Sequence, residues 1–333
     1  MRIFEWSLLG LLIIQAIHAK YPEDRSTPLK VITFGSCNHQ DRAQPMWPII
    51  QEQDPSLWIW MGDNIYGDSR SIPVLTKKFQ KQFDHPGYKL FRQSVPIIGT
   101  WDDHDYGENN AGKEYPTKVA TQELLLNFLQ EPKNSPRRRQ HGIYASYTFG
   151  KGDKQTKIIL LDGRYHMEHP GAGADNLGKQ QWLWLQNELK TSQATINLIV
   201  SGIQILPTDH LYEKWANFPK SRQLLISMIQ KYDLPGVILL SGDRHIHEVN
   251  IIKPEGFYPI TEITSSGLTH SWEAFKAKEN DTRYGAAYTG LAFGKITFDW
   301  KNKQLLIQII NVENKPVTEI LYQFNDLKST QKK

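Results

Sequence analysis

Short apolar runs alternate with amphipathic stretches along most of the chain. Residues 29–34, 57–61, 95–99, 144–149, 157–161, 196–200 and 236–240 read as strands, several of them apolar at almost every position. Unbroken apolar runs of this length suit strands covered on both faces. Between them, 42–53, 73–83, 117–129, 178–189 and 220–231 carry helical spacing, with Pro73 in a first turn. Past residue 241 the period becomes two, and 248–252, 259–263, 287–298, 304–311 and 317–324 predict antiparallel strands. Strand–helix alternation followed by a run of strands predicts an α/β fold. No 20–50-residue repeat and no Pro/Ser linker divides it. The expected organisation is a short segment 20–28, one domain over 29–324 and a polar tail 325–333.

The first residues break this pattern. Positions 6–17 are almost wholly apolar, and Ala19 follows shortly after. The stretch is too short for a dedicated membrane helix and matches the apolar region of a secretory signal. Residues 1–19 are therefore expected to be a cleaved signal peptide, the alternative being a retained anchor. No arginine pair precedes the stretch, which predicts general export to a secreted or periplasmic location. No other window is long enough to predict a stable membrane span.

Composition narrows the classes. With 39% hydrophobic and 22% charged residues over 333 positions, the chain is not of disordered type. A net charge of +4 without a long basic run argues against a nucleic-acid partner other than as substrate. Arg137, Arg138 and Arg139 follow Pro136 and read as solvated loop charge. The lone Cys37 excludes an internal disulfide, and an exported thiol is expected to be buried or ligated.

Chemistry collects where apolar strands end. The instances are Gly35-Ser36-Cys37-Asn38, Gly62-Asp63-Asn64-Ile65-Tyr66, Gly99-Thr100-Trp101-Asp102-Asp103-His104-Asp105, Leu161-Asp162-Gly163-Arg164 and Ser241-Gly242-Asp243-Arg244-His245. Ligands bind at the carboxyl ends of strands in α/β sheets. Oxygen, nitrogen and sulfur donors converging there can hold two cations, which suits phosphoryl transfer by a bridging hydroxide. His245 and His247 alternate, so on a strand both would face one side.

These segments, with Asn109-Asn110 and Thr264-Ser265-Ser266-Gly267, run over residues 34–267 in an order that resembles the PhoD-like alkaline phosphatase D family of calcineurin-like metallophosphoesterases. The resemblance implies a four-layer α/β/β/α sandwich of two mixed sheets. It implies iron and calcium, other divalent metals also serving the superfamily. It implies Cys37 and Tyr66 as ligands to iron, Asp63 as the bridging ligand, and Asp103 on the second metal. Asp243 and His245 would complete the cluster, His104 would protonate the leaving oxygen, and Arg164 and Asn110 would contact phosphate. Gln204 stands where superfamily relatives often ligate through histidine. The 165–175 loop, with His166, Glu168 and His169, reads as a mobile surface loop rather than a third metal site.

The expected function is thus that of an exported metal-dependent phosphatase acting on small phosphomonoesters. Its alternatives are a phosphodiesterase with lipid-headgroup, nucleotide or teichoic-type substrates, and a non-catalytic metal-binding protein on the same fold.

Overall fold

In the computed structural model, residues 21–276 and 280–329 are described. The signal reading over 1–19 lies outside the described residues. Strands β1 (Val31–Gly35), β2 (Leu57–Met61) and β3 (Ile97–Thr100) run parallel, Phe34 opposite Ile59 and Trp60 opposite Gly99. β2 is buried at every position, and its alternating side chains serve two layers. Leu57, Ile59 and Met61 enter the core between the sheets. Trp58 and Trp60 point the other way, into helices α1 (Met46–Glu52), α2 (Ile72–Phe83) and α3 (Pro86–Ser94). There Trp47, Phe79, Tyr88 and Phe91 close over them; Trp58 and Trp60 meet edge-on at 5.3 Å. The single turn α4 (Asp103–Tyr106) and helix α5 (Lys118–Phe128) complete this side.

The second sheet has the order β10-β8-β9-β7-β6-β5-β4. Its strands are β4 (Ala145–Phe149), β5 (Thr156–Leu160), β6 (Ile196–Ser201), β7 (Val237–Ser241), β8 (His247–Ile252), β9 (Ile260–Ser265) and β10 (Arg283–Tyr288). Helices α6 (Lys179–Thr191) and α7 (Pro219–Lys231) cover its outer face through Leu185, Leu189, Leu225 and Ile229. The antiparallel strands β11 (Ala292–Asp299), β12 (Gln304–Asn311) and β13 (Pro316–Gln323) extend the first sheet from β1. The result is the expected α/β/β/α sandwich. At one end an isolated bridge between Ser36 and Ser266 ties the two sheets together.

Four departures from the sequence reading bear on the fold. Helix α1 begins at Met46 rather than residue 42, with Pro45 at its cap. The single strand expected over 287–298 divides into β10 and β11, which belong to different sheets. β9 runs parallel to β7, while β8 pairs antiparallel with it on its far side, between β9 and the edge strand β10. Finally, the 137–139 run is not solvated charge. Arg137 is 3% exposed; its guanidinium reaches Glu131 at 3.3 Å and donates to the carbonyls of Gly99 and Ile143. Arg138 engages Glu123 and the Glu131 carbonyl, leaving Arg139 as the exposed member.

Candidate metal centre

The carboxyl ends of β1, β2, β3 and β7 meet where the two sheets are bridged, and the loops leaving them carry the donors. Four of those donors sit on left-handed backbone: Cys37 at φ 58°, Asp63 at 50°, Asp243 at 68° and His245 at 53°. Non-glycine residues rarely adopt this conformation, and such residues gather at functional sites. Gly62, at φ 99°, makes the tight exit from β2; a Cβ there would stand 2.5 Å from that of Asp102.

Three trios of possible ligand atoms, each within 4.8 Å, run through the site. Cys37, Asp63 and His245 form one; Asp63, Asp103 and His104 form the next; Asp102, Asp103 and Asp243 form the third. Asp63 belongs to the first two and Asp103 to the last two, so the donors make a continuous chain. Asp63 Oδ2 lies 3.3 Å from Cys37 Sγ and 3.4 Å from the Tyr66 hydroxyl. That hydroxyl is also 2.9 Å from His245 Nε2. Tyr66 packs against His104, His39 and His270 at 4.2, 5.0 and 5.0 Å.

The arrangement fits cations. Asp63 Oδ1 and Asp102 Oδ2 are buried without a hydrogen-bond partner. Burial, then the charges of Cys37 and Asp103, pushes Asp63 well above the usual carboxyl range. Asp243 is raised for the same reason, burial first and the charges of Asp102 and Asp103 next. Asp102 is pushed up to about 8 by burial against the pull of Arg164. Burial also drives the Cys37 thiol up to about 11 and the Tyr66 phenol well above its ordinary value. Desolvated anions held this close repel one another; a shared cation removes both costs. Asp103 differs: burial raises it, but Arg164, His104 and the backbone N–H groups of Asn110 and His104 outweigh that and hold it low.

Among the expected residues, Cys37, Asp63, Tyr66, Asp103, Asp243 and His245 come together as described. His104 lies in the second trio while its Nδ1 reaches Asp68 Oδ1 at 2.6 Å. Burial lowers its pKa, yet the Asp68 hydrogen bond and the charges of Asp63 and Asp103 carry it up to about 10. Asn110 donates its backbone N–H to Asp103 Oδ2 at 2.7 Å, and its exposed side chain lines the cleft. Arg164 differs from its expected place on phosphate. It is 1% exposed, with Nε on Asp102 Oδ1 at 2.7 Å and its two terminal nitrogens on Glu213 at 3.2 and 2.7 Å. Gln204 lies outside the trios, bonded to Glu248, Thr264 and His210. His247 opens β8 and is buried beside Ser265, so the two histidines do not share a face.

Asp102, Asp105, His39 and His270 were not singled out from sequence. Asp102 was visible inside the Asp102–Asp105 run, and both histidines follow strand ends. The 165–175 loop is tethered: Glu168 pairs with Lys113 at 2.8 Å and accepts the N–H of Asp175, while His169 reaches the cleft. That cleft, about 840 Å³, opens over Asp243, His245 and His104.

Comparison with known proteins places the family and the fold. A family model described as PhoD-like phosphatase matches residues 32–297. Alkaline phosphatase D of Bacillus subtilis is 24% identical over 191 residues, covering 47% of this chain and 32% of that protein. The chain therefore spans about a third of the length of that curated relative. The solved structure of PhoD aligns at TM-score 0.74 and 17% identity, over 92% of this chain and 72% of that one. A dimetal phosphatase from Danio rerio aligns at TM-score 0.59 and 12% identity, over 89% and 99% of the two chains. The anchor protein of the Plasmodium inner membrane complex aligns at TM-score 0.61 and 11% identity, over 92% and 91%. At these identities the likeness is one of fold, that of the metallophosphoesterases.

Proposed function

The chain belongs to the PhoD-like phosphatase family, and on that premise we propose that it is an exported, metal-dependent phosphatase acting on small phosphomonoesters. The observation that carries this reading is the chain of three trios joined at Asp63 and Asp103, with buried carboxylate oxygens left unpaired. Cations held there would supply a water-derived nucleophile at neutral pH and neutralise the phosphate oxygens.

The protein's own groups divide the remaining work. Cys37, Asp63, Tyr66 and His245 suit iron, since a thiolate and a phenolate both flank Asp63 Oδ2. Asp102, Asp103 and Asp243 offer oxygen donors of the kind calcium or another hard divalent ion takes. Arg164 positions Asp102 and balances its charge. His104 stands at the cleft with Nδ1 on Asp68, which favours the imidazolium, so the proton on Nε2 can go to the departing oxygen. Asn110 presents its side-chain amide from the cleft wall to a phosphate oxygen. The two sheets are drawn from residues 31–323, which supports one catalytic unit over 29–324. Among the described residues no helix is long and apolar enough to cross a membrane. Export rests on the apolar stretch before Ala19; recovery of Met1 from exported protein would refute cleavage.

Side-by-side assay of chromogenic monoesters and diesters tests the activity. Monoester turnover that is abolished by chelator and restored by metal supports the reading. Turnover of diesters alone replaces it with a phosphodiesterase. Metal binding without any hydrolysis leaves a non-catalytic protein.

A further inference from the structure

A second, smaller cavity of about 110 Å³ adjoins the cleft, and the two share Tyr212, Arg244 and Trp272 as a common wall. Its other sides include Phe275, His210 and Asn280. The wall residue Arg244 is unusual. It is 5% exposed, its Nε is buried without a hydrogen-bond partner, and its guanidinium lies 4.5 Å over the Tyr212 ring and 6.0 Å from that of Trp272. Among the described residues, the carboxylates beside it are committed elsewhere. Asp243 faces the metal centre, and Glu248 accepts from Arg283 Nε at 2.6 Å and from Gln204 at 2.6 Å. Among the described residues the cavity is lined by three cations, Arg244, Lys276 and Arg283, against two carboxylates, Asp209 and Glu248. His210 on its wall is held down to about 3 by burial and then by the charge of Arg244.

A guanidinium remains charged at any working pH, and a desolvated cation without an anion is unfavourable. Aromatic faces offset part of that cost and also offer stacking surface. We propose that this side cavity receives the leaving group of the phosphoester, and that it selects a ring carrying its own carboxylate or phosphate, with Arg244 as the counter-charge. The proposal rests on the phosphatase reading of the neighbouring centre. The transferred phosphoryl group would stand at the trios while the ring lies along the wall formed by Tyr212 and Trp272, whose own rings meet edge-on at 5.4 Å. Leaving groups without the second charge would leave Arg244 unpaired.

The test compares phenyl phosphate with 4-carboxyphenyl phosphate on metal-loaded wild type and Arg244→Gln, with metal content and Tm measured for each. The readout is the ratio of kcat/KM for the carboxylated to the plain ester. Wild type should favour the carboxylated ester by roughly tenfold or more, as for a charge-assisted bond in a desolvated site. In Arg244→Gln that ratio should fall towards one, chiefly through KM. Tyr212→Ala, a truncation at a ring 48% exposed, should narrow the ratio as well and guards against misfolding of the first variant. A wild-type ratio near one, or an unchanged ratio in both variants, would overturn the proposal. So would an equal loss on both esters, which would place Arg244 on the transferred phosphoryl group. If wild type hydrolyses neither ester, the phosphatase reading fails instead. Calorimetry with 4-hydroxybenzoate against phenol then decides the subsite: selective binding lost in Arg244→Gln upholds it, and equal binding overturns it.

Discussion

Asp105 accepts the backbone N–H of Asp63 at 3.2 Å, so the loop after β3 sets the aim of the loop after β2. The same carboxylate accepts the N–H of Asp102 at 2.7 Å and that of Asn64 at 3.2 Å. It belongs to none of the trios, yet it fixes the backbone under all three, through Asp63 in two and Asp102 in the third. Hydrogen bonds to a charged acceptor are worth about 1.5–3 kcal/mol each. Asp105→Ala should weaken metal binding about 10–100-fold while leaving every candidate ligand in place. Metal titration monitored by calorimetry measures this; unaltered affinity would mean that the loops hold their own shape.

Asp63 and His104 should separate on mutation. Asp63→Ala removes the donor shared by two trios and should lose bound metal and activity together. His104→Ala should retain most metal and lose about 10²–10⁴-fold in turnover, the range of general acid catalysis. The deficit should shrink for esters with acidic leaving groups. Metal analysis and a leaving-group series distinguish the roles: metal loss in the His104 variant would make it a ligand.

The proton on His104 can be followed directly. In metal-free protein its pKa of about 10 lies above the ordinary histidine value of about 6.5. The folded state therefore holds the proton more tightly than the unfolded chain. That stabilisation is full below about 6.5 and is lost as pH rises through about 10. Imidazole NMR should show His104 protonated at pH 8, and Asp68→Asn should lower the titration midpoint. An ordinary midpoint in the parent protein would refute the Asp68 pairing.

If iron occupies the Cys37 end, protein purified with metal should absorb visible light through thiolate or phenolate charge transfer. Cys37→Ser and Tyr66→Phe should each shift or bleach the band. A colourless active enzyme containing zinc alone would remove iron and leave the fold untouched.

The arginine run offers a stability contrast. Arg137→Ala strands Glu131 in the core and should cost about 3–5 kcal/mol, the range for breaking a buried pair. Arg139→Ala, at an exposed position, should stay within about 0.5 kcal/mol. Thermal melts of the two variants check the difference.

The same run shows where sequence reading stops. Arg137 and Arg139 look alike in the chain, and only the approach of Glu131, Gly99 and Ile143 makes one a core residue. Strands such as β2 were legible because both faces are covered and every position is apolar. The direction of β9 was not, since period-two spacing is the same for parallel and antiparallel partners. In the candidate metal centre, the gathering of these side chains at strand ends was legible from their positions alone. The engagement of Arg164 by Asp102 and Glu213 was not, because those partners are distant in sequence.

The left-handed backbone at Cys37, Asp63, Asp243 and His245 bears on how the protein would respond to artificial selection. Each such residue costs about 1–2 kcal/mol that glycine would not. Buried acid without a cation adds to the burden. A library screened for heat tolerance in the presence of chelator should therefore drift to glycine at these positions and erase the donors. Screened with metal supplied, the same library should keep them. Durability and chemistry pull these four codons in opposite directions, and the ion decides which prevails.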